Sequence, residues 1–150
     1  MTDDNRTLED LVKGVRVAML TFDGPRGLES RPLTVQRVED GTVSFLVGDD
    51  TEWLPADGTA ANLAFVDDKL WVSTTGTTTT TKDPATLEAL GDPISDLWFT
   101  GETGAVALAV RVDHGDWWTA PGFLQTAVKL AAAKAAGEPP EIGDEGSVAV

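Results

Sequence analysis

No cysteine occurs in the 150 residues. That absence removes disulfides, thiolate nucleophiles and Cys-metal centres together. Histidine is nearly missing as well. His114 stands alone beside Asp113 and Asp116, a setting that suits a strand-end residue better than a catalyst and offers no second imidazole for a metal. The sequence has no nucleophile elbow, glycine-rich phosphate loop or zinc signature. If the chain is an enzyme, a cofactor must carry the chemistry. No apolar run reaches the length of a membrane span. The opening Met1-Thr2-Asp3-Asp4-Asn5 is acidic and polar, unlike a signal peptide, so a cytoplasmic protein is expected.

Positive charge is also scarce. Eleven Lys and Arg face 25 Asp and Glu, a formal charge of -14. Such a surface repels nucleic-acid phosphates and acidic lipid, so neither a nucleic-acid nor a membrane partner is expected. Solubility or adaptation to high salt explains the charge; attraction of a cationic partner is the alternative. A small anionic cofactor would need a locally positive pocket.

Five Trp and a 41% hydrophobic content argue for one globular domain over residues 1–150 with a sizeable core. Thr7–Lys13 reads as a short helix capped by Thr7 and stopped by Gly14. Arg16–Phe22 reads as a strand, Asp23–Gly27 as a turn, and Ser30–Glu39 as a second strand. Asp40-Gly41 marks a hairpin, and Thr42–Gly48 the third strand. Pro32 cannot donate to a ladder, so it marks an edge, a bulge or an opening toward a ligand. Asp49–Ala60, broken by Pro55 and Asp57-Gly58, reads as a loop. Ala61–Val66 and Leu70–Thr81 follow as strands, the Thr run suiting the second. Asp83-Pro84 opens a helix through Leu90, and Asp92-Pro93 opens another with Ile94, Leu97 and Trp98 on one face. Ala105–Val112 is a strand that Asp116–Thr119 continues or follows. Phe123–Ala136 has helical spacing, ended by Gly137 and Pro139-Pro140. The ordered core is expected over about residues 7–137, with an acidic tail, 138–150, mobile or lying along a partner. The pattern is α+β, a β-rich body with short peripheral helices.

Arg31 is the leading binding candidate, because its planar fork suits a phosphate or the carbonyl edge of a flat heterocycle. The alternative is a surface Arg paired with an acid such as Glu29. Thr51 follows a strand at a polar corner where a hydroxyl and backbone amides can cradle phosphate, but Asp49, Asp50 and Glu52 surround it. Trp71 is expected in the core. Adjacent Trp117 and Trp118 would point to opposite faces, one buried and the other bordering a pocket or partner.

Taken in order, Met19-Leu20-Thr21, Ser30-Arg31-Pro32-Leu33, Ser44-Phe45-Leu46 with Asp50-Thr51, Asn62–Phe65, Trp71–Gly76, Leu97-Trp98-Phe99 and Asp116-Trp117-Trp118 resemble the general-stress-protein branch of the pyridoxamine 5′-phosphate oxidase-like superfamily. The resemblance covers about Thr7 to Gly137. It implies an antiparallel, Greek-key-like split β-barrel with short peripheral helices and a C-terminal helix, assembled as a homodimer that binds FMN or another flavin at the two-fold interface. By the resemblance, Arg31, Pro32 and Leu33 line the isoalloxazine ring. Phe45, Leu46 and Val47 form the pocket wall, Thr51 meets the phosphate, and Trp98 and Trp118 cover the ring from the partner. The family's Ser-x-Lys at the phosphate corner is Thr51-Glu52-Trp53 here. One lost charge-assisted contact is worth roughly 1.5–3 kcal/mol, about one to two decades in affinity. Two functions therefore stay open at this stage: an FMN-dependent oxidoreductase with a weakened phosphate site, and a flavin-free, non-catalytic stress or ligand-binding module that keeps the dimer. A deazaflavin or another small planar ligand is a third possibility.

Overall fold

Alternation of apolar and polar residues builds the body of the fold. In β1 (Val17–Gly24) Ala18, Leu20 and Phe22 are buried, while Val17 and Met19 face outward. The same period-two pattern buries Val43, Phe45 and Val47 of β4 (Thr42–Gly48), Ala61, Leu63 and Phe65 of β5 (Ala60–Asp67), and Val72, Thr74 and Thr78 of β6 (Leu70–Thr81). The structure, a computed structural model, describes residues 6–91, 104–121, 123–139 and 143–150. The predicted helix opened by Asp92-Pro93, with Trp98 on it, lies outside the described residues.

The sheet is antiparallel throughout. With β2 (Gly27–Thr34), β3 (Arg37–Glu39) and β7 (Ala105–Thr119), the strand order is β2-β1-β5-β6-β7-β4-β3. The two ends of this path are consecutive in the chain. Only Val35 and Gln36 separate them; the Val35 amide donates to the Arg16 carbonyl (2.8 Å) and the Gln36 amide to the Ser44 carbonyl (2.9 Å). The expected single strand Ser30–Glu39 is therefore two strands. Its first half pairs with β1 and its second with β4, so the chain crosses from one edge of the sheet to the other. The result is an α+β split barrel whose ladder stays open along the seam between β2 and β4.

Turn chemistry fixes the registers. Asp40 and Gly41 both adopt positive φ (50° and 74°), the geometry that a two-residue hairpin needs. In β7 a register shift opposite Thr75/Gly76 bends the strand, and its two halves take different neighbours. Gly76 sits against the Arg111 carbonyl, where no Cβ would fit. Residues 105–111 of β7 pair with β4, and residues 116–119 pair with β8 (Asp144–Ser147).

The C-terminal residues thus differ from the expected mobile tail. Beyond β4 the second half of β7 needs a partner for its backbone groups, and β8 supplies it. Val148 is buried, its amide donating to Gly115 O at 2.8 Å, and the Ala149 amide donates to Arg6 O at 2.9 Å.

The helices follow their caps. In α1 (Leu8–Val12) Thr7 Oγ1 accepts the Asp10 amide at 3.2 Å, and Leu8, Leu11 and Val12 join the core. In α2 (Pro84–Leu90) Asp83 accepts the Thr86 amide, and the helix packs against β7 and β4. α3 (Phe123–Ala136) runs to Gly137, which has positive φ. No helix among the described residues is long and apolar enough to cross a membrane.

Candidate functional site

Period two along β2 sorts the predicted ligand-lining residues onto two faces. Arg31 pairs with buried Leu20 and Leu33 with buried Ala18, so both lie on the interior side. Pro32 pairs with exposed Met19 on the exterior, at the edge of the sheet. The pocket-wall candidates divide in the same way. Phe45 and Val47 are buried in the core, and half-buried Leu46 points to the opposite side. Trp118 also lies on the exterior, 42% exposed and directly across from Trp71, which is equally exposed. Trp71 is therefore not the core residue expected from its long strand. Trp117 is, with no exposed surface. Trp98 lies outside the described residues.

What gathers around Arg31 is a compact polar–aromatic cluster. Its guanidinium carbon stands 4.7 Å from the centroid of the Trp53 ring, a cation–π distance. Trp53 also packs on Phe22, ring centroids 6.1 Å apart, and joins the edge of the core. Arg31 Nη2 lies 3.7 Å from Glu29 Oε1, and Arg26 Nη2 approaches the same oxygen at 3.2 Å. The Glu29 side chain is only 13% exposed and that of Arg31 34%. Arg31 Nε is buried and has no hydrogen-bond acceptor among the described residues. Nε is thus an enclosed donor, and the surface that Arg31 offers a ligand is the exposed third of its side chain.

Glu29 is the member that sequence reasoning passed over, treating it as a surface partner. The signal was present, because positions two apart on a strand share a face, so an interior Arg31 brings Glu29 in with it.

The corner after β4 does not suit a phosphate. The Thr51 amide already donates to Gly48 O at 3.2 Å within the turn. Asp49, Asp50 and Glu52 flank Thr51 and are exposed, and the Asp50 carboxylate folds over Gly48 beside the Thr51 hydroxyl. The two cations of the neighbouring cluster, Arg26 and Arg31, are both turned onto Glu29. A phosphate monoester placed here would face carboxylates, while the guanidiniums of Arg26 and Arg31 are engaged by Glu29. An uncharged carbonyl edge meets no such conflict at the exposed part of the Arg31 side chain. Among the described residues no cluster of His, Asp or Glu is arranged to hold a metal ion.

Comparison with known proteins places this arrangement. Residues 3–141 match the family described as pyridoxamine 5′-phosphate oxidase like. No curated protein matches the chain. Among solved structures, a general stress protein 26 from Jannaschia sp. CCS1 shares 21% identity over 93% of each chain, with a TM-score of 0.69. A protein related to general stress protein 26 from Clostridium acetobutylicum shares 18% identity over 74% of this chain and 84% of its own, TM-score 0.62. Those two likenesses speak to the fold. The general stress FMN/FAD binding protein of Xanthomonas citri shares 26% identity over 73% of this chain and 83% of its own, TM-score 0.62. The chain belongs to the pyridoxamine 5′-phosphate oxidase-like family.

Proposed function

We propose that the protein is a homodimeric, flavin-binding oxidoreductase of this family that holds the flavin by its ring and grips the FMN phosphate weakly. The observation that carries the reading is Arg31: a guanidinium stacked on Trp53 and turned onto Glu29, with a third of its side chain open to a ligand. Such a donor suits the carbonyl edge of the isoalloxazine ring. The relative from Xanthomonas citri, described as FMN/FAD binding, supports the choice of ligand. A bound flavin supplies hydride transfer. The chain's own part is to orient the ring through Arg31 and to shield it with apolar and aromatic side chains. The dimer is supported by the exterior of β1, β5, β6 and β7, where Met19, Val66, Trp71 and Trp118 are all exposed on one side of the sheet.

A second reading, the flavin-free module, is favoured by a different feature of the same cluster. Trp53, Phe22, Arg31 and Glu29 already satisfy much of one another's surface and charge. Titration with FMN and riboflavin, followed by flavin fluorescence, separates the two readings. Quenching at micromolar protein, weakened about tenfold or more by Arg31→Ala, is the result expected. Unchanged affinity in that variant places the flavin elsewhere. No quenching and no flavin retained on desalting leaves the flavin-free module.

A further inference from the structure

Glu29 occupies a seat made for its carboxylate. Oε1 receives both Arg26 and Arg31, and Oε2 lies over the Cα of Gly24, in the space that a Cβ would fill. Gly24 is not at positive φ, so it is the missing side chain, not an unusual backbone, that makes room. Trp53 covers one side of the Arg31 guanidinium, and Glu29 takes its Nη2 edge. Nε is enclosed, with no acceptor among the described residues, so a ligand meets only the exposed third of the Arg31 side chain. A phosphate reaching Arg31 must displace the carboxylate or sit beside it, and two anions at contact distance repel strongly where water is partly excluded. An uncharged carbonyl oxygen meets the exposed part of the Arg31 side chain without such repulsion and leaves Glu29 in place.

We propose that Glu29 is a specificity-determining residue: it fills the anion-binding edge of Arg31, so that the site accepts planar ligands with an uncharged carbonyl edge and turns away their phosphorylated forms. The identity of the ligand as a flavin rests on the reading above; the effect of Glu29 on anions does not. In flavin terms, riboflavin binds and FMN is disfavoured.

The test uses the full chain and two kinds of probe at fixed ionic strength. Riboflavin and FMN are titrated by flavin fluorescence, and inorganic pyrophosphate by tryptophan emission, which Trp53 makes sensitive to the cluster. The wild type should bind riboflavin about tenfold or more tighter than FMN. Glu29→Gln should raise FMN affinity by about tenfold and shift riboflavin less than about threefold. Gly24→Ala, which displaces the carboxylate but keeps its charge, should move the FMN-to-riboflavin ratio in the same direction. Glu29→Gln should also respond to pyrophosphate at about tenfold lower concentration than the wild type, and adding Arg31→Ala should abolish that response. A wild type that prefers FMN overturns the proposal. So does a Glu29→Gln variant whose flavin ratio and pyrophosphate response match the wild type. If neither flavin binds but the pyrophosphate arm behaves as stated, the flavin reading falls and the role of Glu29 stands.

Discussion

On a strand the nearest same-face neighbour is two positions away, and for Arg31 that neighbour is Glu29. The pair is neither a surface ion pair nor a fully buried one, with Glu29 13% and Arg31 34% exposed. Surface pairs contribute little, whereas breaking a buried pair leaves a stranded charge. Arg31→Ala should therefore cost about 1–2 kcal/mol in urea denaturation, an intermediate value. Adding Glu29→Gln should recover part of that loss, because the mostly buried carboxylate, left with only the exposed Arg26, is then uncharged. A double variant as unstable as the sum of the two single ones would show that Glu29 does not depend on Arg31. The candidacy of Arg31 was legible in the sequence, from residue type and the neighbouring Pro32. The burial of Glu29 follows from the same two-residue spacing; the stacking of Trp53 on Arg31 was not legible, because that ring is contributed by the loop after β4 and held by Phe22.

At the scale of elements, local chemistry set most boundaries. β4, β6, α2 and α3 run over the residues expected of them, because Asp-Gly turns, the Asp83-Pro84 cap and Gly137 act within a few residues of themselves. Where a boundary depends on a distant strand, the sequence was mute. Nothing in Val35-Gln36 announces a crossing from β1 to β4, and nothing in Asp144–Ser147 announces a strand. β8 is determined by the vacant edge of β7. Gly146 lies against the ring of Trp117, where a Cβ would meet it at 2.8 Å, and Arg6 stacks on that ring at 4.6 Å. Removing residues 144–150 should therefore wet Trp117, shift tryptophan emission to the red and lower the melting temperature. Val148→Ala alone should cost about 1.5–2 kcal/mol, the loss of two buried methylene equivalents with a small cavity. An unchanged melting curve for the truncated chain would mean that β7 holds its second half without β8.

For the whole molecule two surface properties oppose each other. The chain carries a formal charge of -14, which drives copies apart. Its sheet also exposes Met19, Val66, Trp71 and Trp118 on one face, and Trp71 and Trp118 sit directly across from each other. Alternation predicted that Trp117 and Trp118 would part, and they do. The outward turn of Trp71 follows from its register opposite Trp118, which no local pattern encodes. If this face joins two copies, apolar burial drives association while like charges resist it, and salt acts on the second term alone at these distances. The screening length falls from about 30 Å at 0.01 M to about 3 Å at 1 M ionic strength. Dimerisation should therefore tighten as salt rises, the reverse of an assembly held by ion pairs. Trp118→Asp places a charge in the middle of the apolar face and should give monomers at all salt concentrations. Light scattering across that range reads both outcomes. A wild-type dimer that loosens with salt, or a Trp118→Asp variant that stays dimeric, would move the interface away from this face.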